Sequence, residues 1–175
     1  MTNDVLECLK TRRSIRKYKK EQIKEEELDA ILDAAVYAPT GAGRQAPVIV
    51  VVQDKELRDK ISKMNADVAG MENMDPFYGA PTVAIVLADQ TAAPTWMEDA
   101  ALVAGNILNA AHSVGVDSCY IYRAKEVFAS EEGQKLLKDW GLNENYVGVA
   151  NCILGYRDCD MPDPAPRKEN YVIRK

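Results

Sequence analysis

The sequence has few of the residues that build metal sites or covalent catalytic centres. It contains one histidine, His112, and its four cysteines are scattered without a Cys-x-x-Cys pair. A zinc site needs several such ligands at set spacings, so we expect no metal site. The sequence also lacks G-x-S-x-G, H-E-x-x-H, the Walker A loop, and G-x-G-x-x-G after a predicted strand. If the protein is an enzyme, we therefore expect its reactive group to be a bound cofactor.

Long hydrophobic runs are absent as well. No apolar stretch reaches the roughly 18 residues of a membrane span, and the opening segment MTNDVLECLK has neither the basic nor the apolar region of a signal peptide. We therefore expect a cytoplasmic protein without a membrane partner. The 175 residues suit a single domain over 1–175. Three prolines in five positions predict that 160–175 forms an extended C-terminal tail.

Positive charge is scarce outside one short stretch. The net charge is −5, which argues against a general nucleic-acid binder. Yet seven of the 22 basic residues lie within 10–20, a stretch with no acid. From charge alone, a solvated helix end or a basic arm explains this cluster. Arginines grouped in this way also suit a phosphorylated cofactor, because a guanidinium can bind phosphate through two parallel hydrogen bonds.

Hydrophobic periodicity predicts alternating helices and strands. The long irregular connections between them favour a mixed α/β or α+β sheet flanked by helices. The run VIVVVQ is typical of a strand buried on both faces, and TVAIVLAD of a second such strand. The first predicted helix covers 4–11, and a second ends by Pro39. Further helices are predicted from Lys55, from Trp96 to Gly115, and as one or two segments ending at Gly141. Two further strands are predicted, DSCYIY and YVGVANCILGYR.

Five segments form a pattern that covers nearly the whole chain. They are RRSIRKY, ILDAAVYAPTGAGRQAP, FYGAPTVAIVLAD, DAALVAGNILNAAHSVGVDSCYI, and ILGYRD followed by PAPRK. In this order and spacing they resemble the FMN-dependent nitroreductase family, in its short NAD(P)H:FMN oxidoreductase form. The resemblance implies an α+β fold with a mixed, mainly antiparallel sheet flanked by helices. It also implies a homodimer with FMN at the subunit interface.

The activity that the resemblance implies is hydride transfer from NADH or NADPH through flavin N5 to a nitroaromatic, quinone or similar small-molecule acceptor. The implied mechanism is ping-pong, and no catalytic side chain is assigned. A flavin-binding storage or sensing protein without NAD(P)H turnover is the alternative. The sequence identifies neither the acceptor nor the preferred nucleotide.

The same resemblance assigns cofactor-binding residues. The opening pattern maps Arg12, Ser14 and Arg16 onto the cofactor, with Arg13 adjacent, so that arginine neutralises the phosphate and the serine hydroxyl meets the ribityl chain or ring edge. The other assigned positions are a loop reaching the flavin from the partner subunit (Pro39, Thr40, Gly41), a contact with the pyrimidine edge (Asn73), main-chain contacts near N5 (Tyr122, Arg123) and basic residues completing the phosphate site (Arg167, Lys168). A plain helix-ending loop at 39–41 and a bare surface tail at 167–168 are the alternatives.

The chain also departs from the family pattern. Arg123 stands where several members have glycine, which leaves the substrate range open. The loop after Thr40 keeps Gln45 but lacks the asparagine and tryptophan that often follow. The segment 71–79 is either a lid over the flavin or ordinary core.

Overall fold

The computed structural model describes all 175 residues, which form six α-helices and four strands. The helices are α1 (Asp4–Thr11), α2 (Glu25–Val36), α3 (Lys55–Ala69), α4 (Trp96–Ser113), α5 (Ala124–Ala129) and α6 (Glu131–Asp139), and the strands are β1 (Pro47–Val52), β2 (Thr82–Asp89), β3 (Asp117–Ile121) and β4 (Tyr146–Gly155). A short 3₁₀ turn covers Gly41–Gly43. None of the helices combines the length and the apolar character needed to cross a membrane.

The four strands form one sheet in the order β1-β2-β4-β3, with every neighbouring pair antiparallel. Two isolated bridges attach the basic segment to this sheet, a parallel one between Ser14 and Ser118 and an antiparallel one between Tyr18 and Arg157. The α+β class expected from the sequence is confirmed. The Ser14–Ser118 bridge is the parallel contact in an otherwise antiparallel arrangement.

The core forms two layers, one on each face of the sheet. Side chains alternate between faces along a strand, so β2 contributes Ala84, Val86 and Ala88 to one layer and Val83, Ile85 and Leu87 to the other. Helices α2 and α4 pack in the first layer, and α3, α5 and α6 pack in the second. Strand β2 is therefore buried on both faces, as its sequence predicts.

Strand β1 differs from the prediction. Five of its six residues are only half-buried, because β1 lies at the edge of the sheet and its faces are incompletely covered. The apolar segment does form a strand, but its position at the edge of the sheet leaves its side chains partly accessible to solvent.

The long helix α4 ends close to the predicted place. Its last helical residue is Ser113, and Gly115 follows with φ +83°, the left-handed conformation that commonly closes a helix. This ending places Asp117 at the start of β3.

The segment 71–79 is held by Asp75. The Asp75 carboxylate accepts hydrogen bonds from Arg58 Nη2 at 2.6 Å, from the Ser62 hydroxyl, and from the backbone N–H groups of Phe77 and Gly79 at 2.9 and 2.7 Å. Phe77 is fully buried in the core. The carboxyl-terminal half of this segment is therefore anchored to α3.

Candidate functional site

The basic segment lies along the outer edge of β3. Arg12 is the residue that ends α1, and the Arg13 guanidinium donates from Nη1 to the carbonyl oxygens of Lys10 and Arg12, both at 2.7 Å. Ile15 donates its N–H to the Ser118 carbonyl at 3.1 Å and is fully buried. The chain is thus pinned at Ile15, which presents the half-buried Ser14 and the exposed Arg16 on either side.

Two guanidinium nitrogens in this segment lack partners. Arg12 Nη1 and Arg13 Nε are buried, and neither makes a hydrogen bond. The nearby acids are engaged elsewhere, since Asp117 pairs with Arg157 at 3.0 Å and Asp158 lies 3.3 Å from Lys17. A buried donor without an acceptor costs about 1–3 kcal/mol, and more for a charged group. The segment therefore has unused capacity to bind an anion.

His112 lies close to the basic segment 10–20 but adds no positive charge to it. Its Nε2 lies 2.9 Å from the Thr11 hydroxyl, which joins the last turns of α1 and α4. Burial lowers the pKa of His112 below its ordinary value, the charges of Arg12 and Arg157 act in the same direction, and Asp117 opposes them. The imidazole is therefore neutral at pH 7, and the positive charge of the cluster belongs to the arginines.

A cavity of about 140 Å³ lies between the end of β3 and the segment 71–79. Two arginines line it together with aromatic and sulfur-containing side chains, and no acid does. The lining residues are Arg16, Met71, Met74, Pro76, Tyr78, Cys119, Tyr120, Ile121, Tyr122 and Arg123. The structure therefore brings Arg16, Tyr122 and Arg123 together in one cavity, and their binding of a cofactor stays a prediction. Phe77, in the same segment 71–79, does not line the cavity and is buried in the core.

The turn at Tyr122 and Arg123 is held from beneath by Asn65. This side chain is fully buried, and its Nδ2 donates to the Tyr122 carbonyl at 2.8 Å. Sequence reasoning did not single out Asn65. One feature of the sequence could have indicated it: Asn65 lies four positions after Ile61, so its polar amide falls on the apolar face of α3.

The loop of Pro39, Thr40 and Gly41 lies on a different surface of the subunit. Gly41 donates its N–H to Asp99 Oδ1 at 3.0 Å, and a Cβ at this position would lie 2.1 Å from Thr95 Oγ1, so a larger residue would require the Thr95 side chain to move. Thr40 lines a mainly apolar groove of about 740 Å³. Val36, Tyr37, Ala38, Pro47, Val48 and Ile49 are among the other residues lining this groove. Within one subunit, the loop does not reach the cavity at Arg16.

Three other assigned residues also lie apart from the cavity. Asn73 is exposed, with φ +57°, and lines a groove beside α3. Arg167 donates to the Ala165 carbonyl, and Lys168 sits 5.3 Å from the centre of the Tyr171 ring, both within the exposed tail 160–175. Their roles at the cofactor stay predictions.

No group of three or more His, Cys, Asp or Glu side chains is placed to hold a metal ion. All four cysteines are free, and burial raises the pKa of the Cys152 thiol to about 12. That thiol is therefore protonated at neutral pH and is not a nucleophile.

A model of the nitroreductase family matches residues 9–156 of this sequence. The chain belongs to the nitroreductase family. Two archaeal relatives, both provisionally named NADH dehydrogenase/NAD(P)H nitroreductase, are similar to this nitroreductase-family chain. The one from Methanothermobacter thermautotrophicus is 36% identical over 120 residues, covering 67% of this chain and 60% of the relative. The one from Archaeoglobus fulgidus is 34% identical over 158 residues, covering 86% and 85%. The chain therefore spans 60% of the first relative's length and 85% of the second's.

The fold agrees with that of solved nitroreductases. A nitroreductase from Desulfitobacterium hafniense with bound FMN is 30% identical, with a TM-score of 0.87 and complete coverage of both chains. The nitroreductase-family assignment thus stands on the sequence and on the fold.

Proposed function

We propose that this protein is an FMN-dependent oxidoreductase that uses NADH or NADPH to reduce a small-molecule electron acceptor. The observation that carries the proposal is the pair of buried, unpartnered guanidinium nitrogens on Arg12 and Arg13. Their chemistry fits the phosphate of FMN, because charge-assisted hydrogen bonds to phosphate are the strong ones. The bound FMN of the Desulfitobacterium neighbour and the names of the archaeal relatives support the same conclusion.

The cofactor-binding residues divide into two groups. Arg12 and Arg13 would hold the phosphate, with Ser14 beside them, while Arg16 and the main chain of Tyr122 and Arg123 would meet the ring. When bound, FMN supplies two-electron redox chemistry at N5, which links oxidation of NADH or NADPH to reduction of a nitroaromatic, quinone or similar acceptor by a ping-pong mechanism.

We assign the side chains around the cavity to binding and orienting the cofactor and the substrates, and not to proton transfer. Arg16 would place a positive charge beside the cofactor ring, where it would favour the anionic reduced form, and a preorganised charge needs no rearrangement during the reaction. Met71, Met74 and Tyr78 line the cavity on the side of the segment 71–79. Asn65 holds the backbone at Tyr122 and Arg123 in place through its hydrogen bond to the Tyr122 carbonyl.

We further propose that residues 1–175 form one cytoplasmic domain that assembles as a homodimer. The partner subunit would then contribute the loop of Pro39, Thr40 and Gly41. The partner's tail would contribute Arg167 and Lys168, and Asn73 would approach the ring from the segment 71–79. Large exposed apolar side chains on α1, on α4 and at the end of α2 support this assembly, among them Val5, Leu9, Val36, Tyr37 and Leu102. Exposed apolar side chains on neighbouring helices are typical of an interface.

Purified protein tests the proposed activity. We expect a yellow preparation with one FMN per chain, whose visible flavin absorbance bleaches anaerobically with NADH or NADPH and returns when a quinone or nitroaromatic is added. A yellow protein that bleaches only with dithionite would instead be the storage or sensing protein. A colourless protein with no measurable FMN affinity would contradict both.

A further inference from the structure

Two cations without partners line the cavity at the end of β3. Arg16 and Arg123 both line it, and neither is in an ion pair of this subunit. The nearest acids of the segment 71–79, Glu72 and Asp75, line the neighbouring groove instead. Asp75 already accepts hydrogen bonds from Arg58 and from the Ser62 hydroxyl. The cavity is therefore a positively charged site that no acid of its lining neutralises.

The rest of the cavity wall is flat and polarisable. Tyr78, Tyr120 and Tyr122 line it with Met71 and Met74. The Tyr120 hydroxyl donates to the Val149 carbonyl at 2.8 Å, which fixes that ring. Aromatic rings stack on such surfaces, and sulfur–aromatic contacts add to the attraction. This wall suits a planar ligand, while the two arginines suit an anionic one.

Arg123 occupies its place against a local conformational preference. Its φ is +77°, in the left-handed region where glycine is favoured and a residue with a Cβ is strained. The buried Asn65 holds the preceding carbonyl, so the turn is fixed in this conformation. A strained residue kept in a cleft is a reason to look for a role of its side chain.

We infer that Arg123 is a specificity-determining residue that makes the acceptor site prefer planar aromatic compounds bearing a negative charge, such as a nitrobenzoate, over neutral ones of the same shape. The inference rests on the proposed function. Arg16 and the main chain at Tyr122 and Arg123 stay with the cofactor ring, and the Arg123 side chain is assigned to the acceptor. The cavity of about 140 Å³ is smaller than ordinary ligand pockets of about 300–1,000 Å³, so it does not hold a flavin ring and an acceptor together, and the acceptor would meet the Arg123 guanidinium beside the ring.

The experiment compares two acceptors of nearly equal shape, 4-nitrobenzoate and 4-nitrobenzamide. The ratio of their kcat/KM values is measured for wild type, Arg123→Gln and Arg123→Gly. We expect the ratio to fall about fivefold in both variants, as the upper range for a partly exposed ion pair implies. Added salt should lower the wild-type ratio and leave the variant ratios nearly unchanged. Lys125→Gln, an exposed cation on α5 that does not line the cavity, should match wild type.

A binding measurement gives a readout independent of turnover. Benzoate and benzamide are titrated into the oxidised holoprotein, and the dissociation constants are taken from the change in the flavin spectrum. We expect benzoate to bind more tightly than benzamide in wild type and to lose that advantage in Arg123→Gln.

Three results would overturn the inference. An unchanged acceptor ratio in both variants would show that Arg123 does not sense the charge. Equal losses with both acceptors would show that it supports the cofactor. An increased KM for NADH or NADPH with an unchanged acceptor ratio would show that the charge of Arg123 acts on binding of the nucleotide and not of the acceptor. Flavin content and anaerobic bleaching are measured first in every variant, so failure of the proposed function is seen separately.

Discussion

At the scale of single residues, Arg12 carries the largest share of the cofactor prediction. We expect Arg12→Ala to weaken FMN binding by about 1.5–3 kcal/mol, the range for a hydrogen bond to a charged group. The measurement is a titration of apoprotein with FMN, followed by quenching of flavin fluorescence.

The matched control is Lys19→Ala. Lys19 belongs to the same basic stretch, but it is exposed and is bound to the fold through its backbone N–H, which donates to the Tyr156 carbonyl. Its loss should leave FMN affinity near the wild-type value. Equal affinities for Arg12→Ala and wild type would remove Arg12 from the phosphate site.

Single residues also show which parts of the site the sequence could reveal. The arginines around Ser14 were found because their types and order form a pattern. Gly41 was assigned through the resemblance, yet its physical requirement, the close approach of Thr95, comes from a residue 54 positions later in the chain. Asn65 was missed because its partner is a main-chain carbonyl, which has no sequence signature.

At the scale of elements, the segment 71–79 depends on the charge of Asp75. Burial by itself would raise the pKa of this carboxyl, but hydrogen bonds from Arg58, Ser62 and the Gly79 N–H outweigh burial and hold the pKa below its ordinary value. A carboxyl with a lowered folded pKa stabilises the fold fully above its unfolded pKa of about 3.9. That contribution is lost as the pH falls through the folded value.

We therefore expect Asp75→Asn to lower the free energy of unfolding at pH 7 and to flatten its dependence on pH below about 4. Urea unfolding at a series of pH values measures both effects. Asp67→Asn is the control, since Asp67 pairs with Lys63 on the surface of α3 and such exposed pairs contribute little. A pH dependence identical to that of wild type would show that Asp75 does not anchor the segment.

Elements also mark where prediction from sequence fails. The runs VIVVVQ and TVAIVLAD look alike in composition, yet the first is an edge strand and the second is buried at every residue except the last. Strand order depends on contacts between distant segments, and a local apolar pattern does not report it. The existence of both strands was predicted; their different burial was not.

At the scale of the whole molecule, the exposed apolar side chains of α2 test the proposed dimer. Val36 and Tyr37 are 66% and 79% exposed in the single subunit. We expect Val36→Glu to shift the protein from dimer to monomer, because a charge buried without a partner strongly disfavours association. Light scattering after size-exclusion chromatography measures the mass.

Val68→Glu is the matched control, since Val68 is exposed on α3 and does not line the mainly apolar groove at Thr40. It should leave the mass unchanged. The Val36→Glu monomer should also bind FMN less tightly, because the loop of Pro39, Thr40 and Gly41 would no longer be supplied by a partner. A wild-type protein that is monomeric while holding FMN would contradict the assembly.

Strand β3 has a further consequence for the size of the ligand. Ser118, near its start, bridges to Ser14, while Tyr122 and Arg123 follow directly after its end. At about 3.3 Å per residue, the strand separates Ser118 from Tyr122 by roughly 13 Å. If FMN binds as proposed, the length of this one strand would set the distance between the phosphate end and the ring end of the ligand. A ligand shortened by removal of the phosphate would meet only one end of it.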